Sequence, residues 1–560
     1  MNNHSRIGSG TATDVEYVGD LIRMQRGNRQ LNSTEYGHPL RYLSSLLFMP
    51  HPFFKIDELL RLVIDELVEI SPQSVVSFAL TCRSLEEPTL SSLWKEQCSL
   101  TDLVKVLPNH TWVEDEDGIE SIVSGCDFLV DRYRFKFPQA IEHDPSAEDW
   151  TRLRRYASWM RGLNLCPDGN IPASTFFRLS SNSPGGMLCP KLEWLHWDVR
   201  GTPNALTSFR LFLSPHLNRV NFNDTAIHDI PRAQLACIVQ IISSLPTSLE
   251  DLTITCGREE DETLKDAIST FVCRCGPSLR RFYSKIPLSE VAIHHIMQLP
   301  NLRSWIAVQG PPQNFQLSVF PSLEVLYFLK QATLPWLHLL ASHEANIPQN
   351  YSTPVTSHAK IGETLRHLNC LGGTTLNSTF VSLILKFRNL VRLHVTTFCG
   401  GDGSCNFHLT DDIVENLAAA LPYLEGLQLG QPCSSNACNT TVASLLSIST
   451  HCLGLTLLET HFNTLTIVGD MQRLLDGGSW RDKGKCGLRK LVVGFLPVEV
   501  GKEDTETVVE GFKVIFPCLD GITNYGGHHG GHWDKLVERI EMWNWQRCHQ
   551  ESWDGSGRRR

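Results

Sequence analysis

The sequence lacks a long apolar run, a surplus of positive charge and a regular cysteine framework. No run approaches the roughly 18 apolar residues that cross a bilayer, so no membrane-spanning helix is expected. Lys and Arg number 50 against 60 Asp and Glu, and the net charge of -10 disfavours nucleic acid as a partner. The first ten residues contain no apolar export signal. The 18 scattered cysteines are therefore expected to be reduced, in the cytoplasm, the nucleus or both.

Familiar catalytic motifs are also missing from the sequence. It contains neither a Gly-x-Ser-x-Gly elbow nor a His-Glu-x-x-His helix. The nearest approaches to a metal site are Cys399 with Cys405, Cys433 with Cys438, and the cluster His528, His529 and His532. Their spacing and Gly-rich flanks favour loop thiols and a turn. We expect a non-catalytic protein without cofactor or metal, and an enzyme stays open only if these clusters bind metal.

The overall composition is that of an ordinary globular protein. Hydrophobic residues make up 42% of the 560 residues and charged residues 20%, which allows several domains or one long array. Residues 1–50 are rich in Asn, Ser, Gly and Arg without a sustained period, and this predicts a disordered segment.

Residues 53–97 predict three short amphipathic helices. Asp57 can cap the first helix, whose apolar residues recur every four positions. Ser71 and Pro72 suit the start of the second helix, and Pro88 suits the start of the third. A unit this small buries little apolar surface, so part of each apolar stripe is expected to face another polypeptide.

This segment resembles an F-box, the module that docks a substrate receptor on the Skp-type adaptor of cullin-based ubiquitin ligases. The residues that match the family's three runs are Glu58, Leu59, Leu60, Val63 and Ile64, then Thr81, Cys82, Arg83 and Leu85, then Leu93 and Trp94. Two positions depart from the family pattern, because Lys55-Ile56 stands where Leu-Pro is usual and Leu85 replaces an aromatic residue. Residues 99–108 and 148–163 resemble the linker that follows the F-box in the fungal branch of the family.

The resemblance implies a Skp-type adaptor as partner and, through it, a cullin scaffold. It assigns the adaptor-binding unit, partly by contact and partly by shape, to Ile56, Leu59, Leu60, Ile64, Leu67, Cys82 and Trp94. The alternative interpretation of this segment is a helical cap for the repeats that follow.

A leucine-containing motif recurs from residue 189 onward, with a mean step of about 30 residues, as in leucine-rich repeats. Its anchors are Leu192, Leu217, Leu249, Leu279, Leu302, Leu323, Leu365, Leu390, Leu424, Leu455, Leu488 and Leu519. The residue three positions after each anchor is apolar in all twelve units, and the residue five positions after it is apolar in nine. This alternation predicts a strand with one face on a core. Helical stretches lie between the strands.

The predicted fold is therefore α/β: an N-terminal three-helix F-box, then a leucine-rich-repeat solenoid with a parallel sheet, shaped as a horseshoe. The predicted boundaries are 53–97 for the F-box, 98–188 for a helical linker, 189–525 for the repeats, 526–548 for a loop and capping helix, and 549–560 for a tail.

The fourth residue after each anchor is predicted to point into the concavity. These residues form a polar and aromatic stripe, and its predicted substrate-binding members are His196, Asn221, Thr253, Tyr283, Tyr327, Asn369, His394, Gln428 and Glu459. Such a stripe suits a shaped protein partner, although any single member can simply be solvated. The predicted function is the substrate-recognition subunit of an SCF-type ubiquitin ligase. The alternative is a repeat scaffold that binds partners without a ligase.

Overall fold

The computed structural model describes residues 57–81, 83–108, 112–114, 138–141, 145–165, 173–183, 186–198, 209–223, 232–246, 248–255, 261–312, 320–329, 332–345, 361–372, 375–396, 408–430, 439–460, 462–463, 466–477, 486–493, 502–524 and 536–544. The chain forms two compact units, Met1–Gly257 and Arg258–Arg560. None of the described helices has the length and apolar character that a bilayer crossing requires.

The first unit begins with three helices, as the sequence predicts. They are α1 (Asp57–Ile70), α2 (Pro72–Ala79) and α3 (Arg83–Leu93). Ser71 caps α2 by accepting a hydrogen bond from the Ser74 N–H at 3.4 Å, with Pro72 in the first turn. The prediction that Pro88 starts the third helix is wrong. Helix α3 begins five residues before Pro88, which lies inside the helix. One proline near a helix start removes a single backbone donor and leaves the remaining turns intact.

A parallel sheet follows in the first unit. The further elements there are β1 (Glu96–Gln97), α4 (Thr101–Val104), β2 (Trp112–Glu114), β3 (Pro138–Ile141), α5 (Ala147–Ala157), β4 (Gly162–Leu165), α6 (Ala173–Asn182), β5 (Trp194–Asp198), β6 (Arg219–Asn223), α7 (Arg232–Ser244) and β7 (Asp251–Ile254). The strand order is β1-β4-β5-β6-β7, all parallel, and β2 pairs with β3 in a separate antiparallel pair.

The sheet begins earlier than the sequence analysis places it. Strand β4 lies inside the predicted helical linker 98–188 and pairs with β5, while β1 pairs with β4. Met160, which is fully buried, takes the anchor position that leucine holds in later repeats. The repeat was missed because methionine replaces that leucine.

The second unit continues the same plan. Its elements are α8 (Glu262–Arg274), β8 (Arg281–Ser284), α9 (Glu290–Gln298), β9 (Ser304–Ala307), β10 (Val325–Leu329), α10 (Thr333–Ala345), α11 (Ile361–Thr364), β11 (His367–Leu371), α12 (Ser378–Ile384), β12 (Arg392–Thr396), α13 (Asp411–Ala420), β13 (Gly426–Leu429), α14 (Val442–His451), β14 (Leu457–Thr460), α15 (Ile467–Gly477), β15 (Lys490–Val493), α16 (Lys502–Ile515) and β16 (Gly521–Asn524). Its strands β8 to β16 follow in chain order, and neighbouring strands are parallel.

The predicted alternation is confirmed. All twelve anchor leucines are at most 1% exposed, and the residues three positions after them are buried as well. Within each unit, strand entries are hydrogen-bonded to the preceding repeat: the N–H groups of Glu425 and Gly426, for example, both donate to the Val391 carbonyl at 2.8 and 3.2 Å. One buried leucine and a shared carbonyl per repeat therefore keep successive strands in register.

Helices cover the buried face of the sheet in each unit. In the first unit, Phe176 of α6 lies 6.1 Å from Trp197 of β5, measured between ring centroids. In the second, Trp336 of α10 meets Trp305 of β9 edge to face at 5.1 Å. These contacts confirm the α/β solenoid, with strands on one side and helices packed against them.

A helix is also found at residues 536–544, within the predicted range of the C-terminal helix. Leu536 and Ile540 are buried, and the Asn544 side-chain amide donates to the Asp520 carbonyl at 2.6 Å. The helix thus packs at the last strand of the second unit.

Candidate functional site

The first candidate surface lies on the three helices α1 to α3. Their core is a cluster of Leu60, Ile64, Val75, Phe78 and Leu85. Leu60 and Ile64, both predicted for the adaptor-binding unit, are therefore buried inside it and hold its shape. They offer no surface to a partner.

The other predicted adaptor residues are placed differently. Leu59 and Leu67 are half-buried, so part of each side chain is accessible. Trp94 is 2% exposed and packs on Tyr156 of α5, with 5.0 Å between ring centroids. It stands just before β1, so it fastens the helices to the start of the sheet and offers no contact surface. Ile56 and Cys82 lie outside the described residues.

Three exposed apolar residues were missed by the sequence analysis. Leu62 is 62% exposed, Ile70 76% and Leu80 48%. We call these three residues the exposed apolar set. At 100° per residue, Leu62 lies on the side of α1 opposite Leu60, whereas Ile70 lies about 80° from Leu60, at the edge of the apolar stripe. Exposed apolar side chains mark a docking surface when they form one contiguous patch, so these three residues are candidates for such a surface.

The second candidate surface is the open face of the sheet, meaning the strand residues that alternate with the buried ones. In the first unit, His196, Asn221 and Thr253 stand side by side in register on β5, β6 and β7. The Asn221 side-chain amide and His196 Nδ1 are hydrogen-bonded at 2.9 Å. The predicted stripe is therefore a continuous row within this unit.

A tryptophan on the same face was not singled out from the sequence. Trp194 precedes the buried Leu195 of β5 and is half-buried. A Cβ placed on Gly162 of β4, its partner in register, would come within 2.1 Å of the Trp194 ring. The glycine therefore gives the indole room to lie on the neighbouring strand. This pairing of glycine with tryptophan could not be predicted from the sequence, because strand β4 was not predicted.

In the second unit the predicted stripe is again one row. Tyr327, Asn369, His394, Gln428 and Glu459 are neighbours in register from β10 to β14. The Gln428 amide donates to the Glu459 carboxylate. After Tyr327, the row therefore presents an amide, an imidazole, an amide and a carboxylate, and each of these side chains is half-buried.

An aromatic pair opens this row. The rings of Tyr283 and Tyr327 meet edge to face with 5.5 Å between centroids, and the Tyr283 hydroxyl is hydrogen-bonded to Ser304. Burial raises the pKa of Tyr283 to about 12, so the phenol remains protonated at neutral pH. The pair presents ring edges and hydroxyls together, which suits amphipathic contact with a protein.

The histidines of this face carry little charge at neutral pH. Burial lowers the pKa of His394. Burial, followed by the nearby Arg392 guanidinium, lowers the pKa of His367 on the next strand. Both imidazoles are therefore mainly neutral at pH 7, and any positive charge of the face comes from arginine and lysine.

The sequence candidates for metal binding are not placed by the structure. Cys399, Cys405, Cys433, Cys438, His528, His529 and His532 all lie outside the described residues. Within the part of the chain that is described, no group of three or more His, Cys, Asp or Glu is arranged to hold a metal ion.

Comparisons with known proteins give a likeness to solved structures and no match at the level of sequence. No protein-family model matches the sequence, and no curated protein matches it either. A solved structure titled "Crystal structure of Rad7 and Elc1 complex in yeast" is similar at 11% identity, with a TM-score of 0.32, covering 87% of this chain and 94% of that chain. At this TM-score the likeness carries no inference about function.

Proposed function

We propose that this protein is a substrate receptor of a ubiquitin ligase, which binds a Skp-type adaptor through α1 to α3 and a protein substrate through the open face of its sheet. The observation that carries the proposal is the exposed apolar set, Leu62, Ile70 and Leu80, on a helical unit whose own core is already filled. It supports the docking role that the F-box resemblance implies.

The receptor role requires no covalent chemistry from this chain. Holding a substrate beside the charged conjugating enzyme raises the effective concentration of the substrate's lysines. A half-buried row of amides, tyrosines and histidines suits that task, since such side chains give adaptable hydrogen bonds and amphipathic contact area.

The alternative, a helical cap on a scaffold without a ligase, is favoured by other contacts. Trp94 packs on Tyr156, and Glu86 of α3 pairs with Arg155 of α5 at 3.4 Å. These contacts fasten the helices to the rest of the first unit, as a cap requires. A cap, however, gives no reason for Leu62 and Ile70 to face solvent.

Co-purification of the full chain with the Skp-type adaptor tests the proposal. Leu62→Asp and Ile70→Asp place a charge in the apolar contact and should abolish the complex, since burying an unpaired carboxylate is costly. Leu457→Asp on β14, another exposed leucine, is the matched control and should leave the complex intact. Equal recovery of the adaptor with all three variants would refute the proposal.

A further inference from the structure

Arginines collect where strands β9 to β12 begin. Arg303 precedes β9, Arg366 precedes β11 and Arg392 opens β12, and all three are exposed. The corresponding residue before β10 is Glu324, which pairs with Arg303 at 3.5 Å. We call these strand starts, with the open-face residues that follow them, the arginine edge. It is locally positive in a chain whose net charge is -10.

Two of these arginines are adjacent and have no carboxylate partner among the described residues. The Arg392 N–H donates to the Arg366 carbonyl at 3.0 Å, so the two side chains project from neighbouring repeats. Arg366 is positioned by a hydrogen bond from its guanidinium to the Asn389 carbonyl at 3.3 Å. The Arg392 stem passes Gly426, where an added Cβ would lie 3.4 Å from its Cγ.

An apolar shelf adjoins these two cations. Ile306, Val325 and Tyr327 lie half-buried on the open faces of β9 and β10, beside Asn369 on β11. None of these four carries a charge. An apolar surface next to two exposed guanidinium groups is complementary to a segment that combines an apolar side chain with anionic neighbours.

We propose that the arginine edge binds an extended anionic segment of the substrate protein, with an apolar side chain on Ile306 and Tyr327 and anionic groups on Arg366 and Arg392. This inference rests on the proposed function, because it states which substrates the receptor would accept. The anion can be a carboxylate or a phosphoserine, since guanidinium groups bind both with paired hydrogen bonds.

Nucleic acid fits this surface less well. Glu425 precedes β13 and Glu459 lies on β14, so the face beyond Arg392 carries negative charge. A polyanion needs a longer track of cations. The tyrosine rings of Tyr283 and Tyr327 also pack against each other, which leaves less ring face for a stacked base.

Fluorescence anisotropy with the full chain tests the inference. The probe is a fluorescein-labelled peptide with one leucine between pairs of glutamates; parallel probes replace the glutamates by phosphoserine or by lysine, and a further probe is single-stranded oligothymidine. The glutamate or the phosphoserine peptide should bind at least about tenfold tighter than the lysine peptide, and increasing salt should weaken that binding.

Charge reversal locates the site. Arg366→Glu and Arg392→Glu should each weaken binding of the anionic peptide about tenfold. Arg489→Glu is the matched control, because Arg489 is exposed just before β15. It lies three strands, or about 14 Å, from Arg392, beyond a Debye length of about 8 Å. Its effect should stay below about twofold.

Three results would overturn the inference: equal binding of the anionic and lysine peptides, tighter binding of oligothymidine than of either anionic peptide, or equal effects of Arg392→Glu and Arg489→Glu. Adaptor co-purification of the same variants separates this inference from the proposed function. The arginine variants should retain the adaptor. If the parent chain binds the adaptor but does not prefer the anionic peptides over the lysine peptide, only the inference is contradicted.

Discussion

One carboxylate joins two repeats of the second unit, and its removal gives a localised test of the fold. Asp411 opens α13, and its two oxygens accept hydrogen bonds from the N–H and the hydroxyl of Thr441, both at 2.7 Å, and from the Ser444 hydroxyl. Thr441 is the N-cap of α14. Asp411 therefore satisfies donors at the first turn of the next helix, where a negative charge also complements the helix dipole.

Asp411→Ala removes all three acceptor contacts. Hydrogen bonds to a charged group contribute about 1.5–3 kcal/mol each. They share one carboxylate and are not additive, so the expected loss for α14 is about 2–4 kcal/mol. Asp411→Asn keeps one oxygen acceptor and should lose less. Amide hydrogen exchange should show protection across Val442–His451 reduced about 30- to 700-fold in the alanine variant.

Asp412→Ala is the matched control, because Asp412 is the next residue of the same first turn and is exposed. It should leave the exchange of α14 within about threefold of the parent, as an exposed substitution does. Unchanged exchange of α14 in Asp411→Ala, or the same change in both variants, would refute the reasoning.

Three further predictions concern stability and reactivity. Ile64 of α1 is fully buried, so Ile64→Ala should lower the free energy of unfolding of the helices by about 2–5 kcal/mol in chemical denaturation. Ile70→Ala is the control, because Ile70 is 76% exposed, and it should change that free energy by less than about 0.5 kcal/mol. Similar losses in both variants would contradict the assigned core. Burial lowers the pKa of His394 in the folded state, so its contribution to stability is present above the unfolded pKa of about 6.5 and is lost as the pH falls toward the lowered value. His394→Gln should therefore lose less stability than the parent between pH 7 and 5 in thermal melts, and parallel pH profiles would exclude this role. Iodoacetamide should alkylate the exposed Cys518 in the native protein well before the buried Cys189. Burial raises the pKa of the Cys189 thiol to about 12, so little reactive thiolate forms there. Equal alkylation rates by mass spectrometry would contradict the packing of the first unit.

The repeat architecture could be predicted because each repeat places its apolar residues at the same positions relative to its anchor leucine. A leucine at the strand entry and an apolar residue three positions later are both buried in all twelve predicted units. One of the three exceptions five positions after the anchor is explained by local hydrogen bonds: Ser284 is buried, and its hydroxyl is hydrogen-bonded to the Ile286 backbone. Local hydrogen bonds can thus place a polar residue where the pattern expects an apolar one.

The candidate contact residues were harder to predict, since composition does not tell which side of a short helix faces its own core. The sequence predicts Leu60, Ile64 and Trp94 as residues of the adaptor-binding unit, and all three are buried in the structure. The exposed members, Leu62 and Ile70, belong to the same helix as Leu60 and Ile64 and differ only in angular position. Tertiary packing decides between them.

The central claim is that the face of α1 to α2 around Ile70 is open for another polypeptide. Amide hydrogen exchange of the full chain, with and without the Skp-type adaptor, tests it most directly. The account predicts that the adaptor slows exchange within Asp57–Ile70 and Pro72–Ala79 and leaves β8 to β16 unchanged. Absence of slowing in these two helices, or slowing confined to the strands of the second unit, would contradict it.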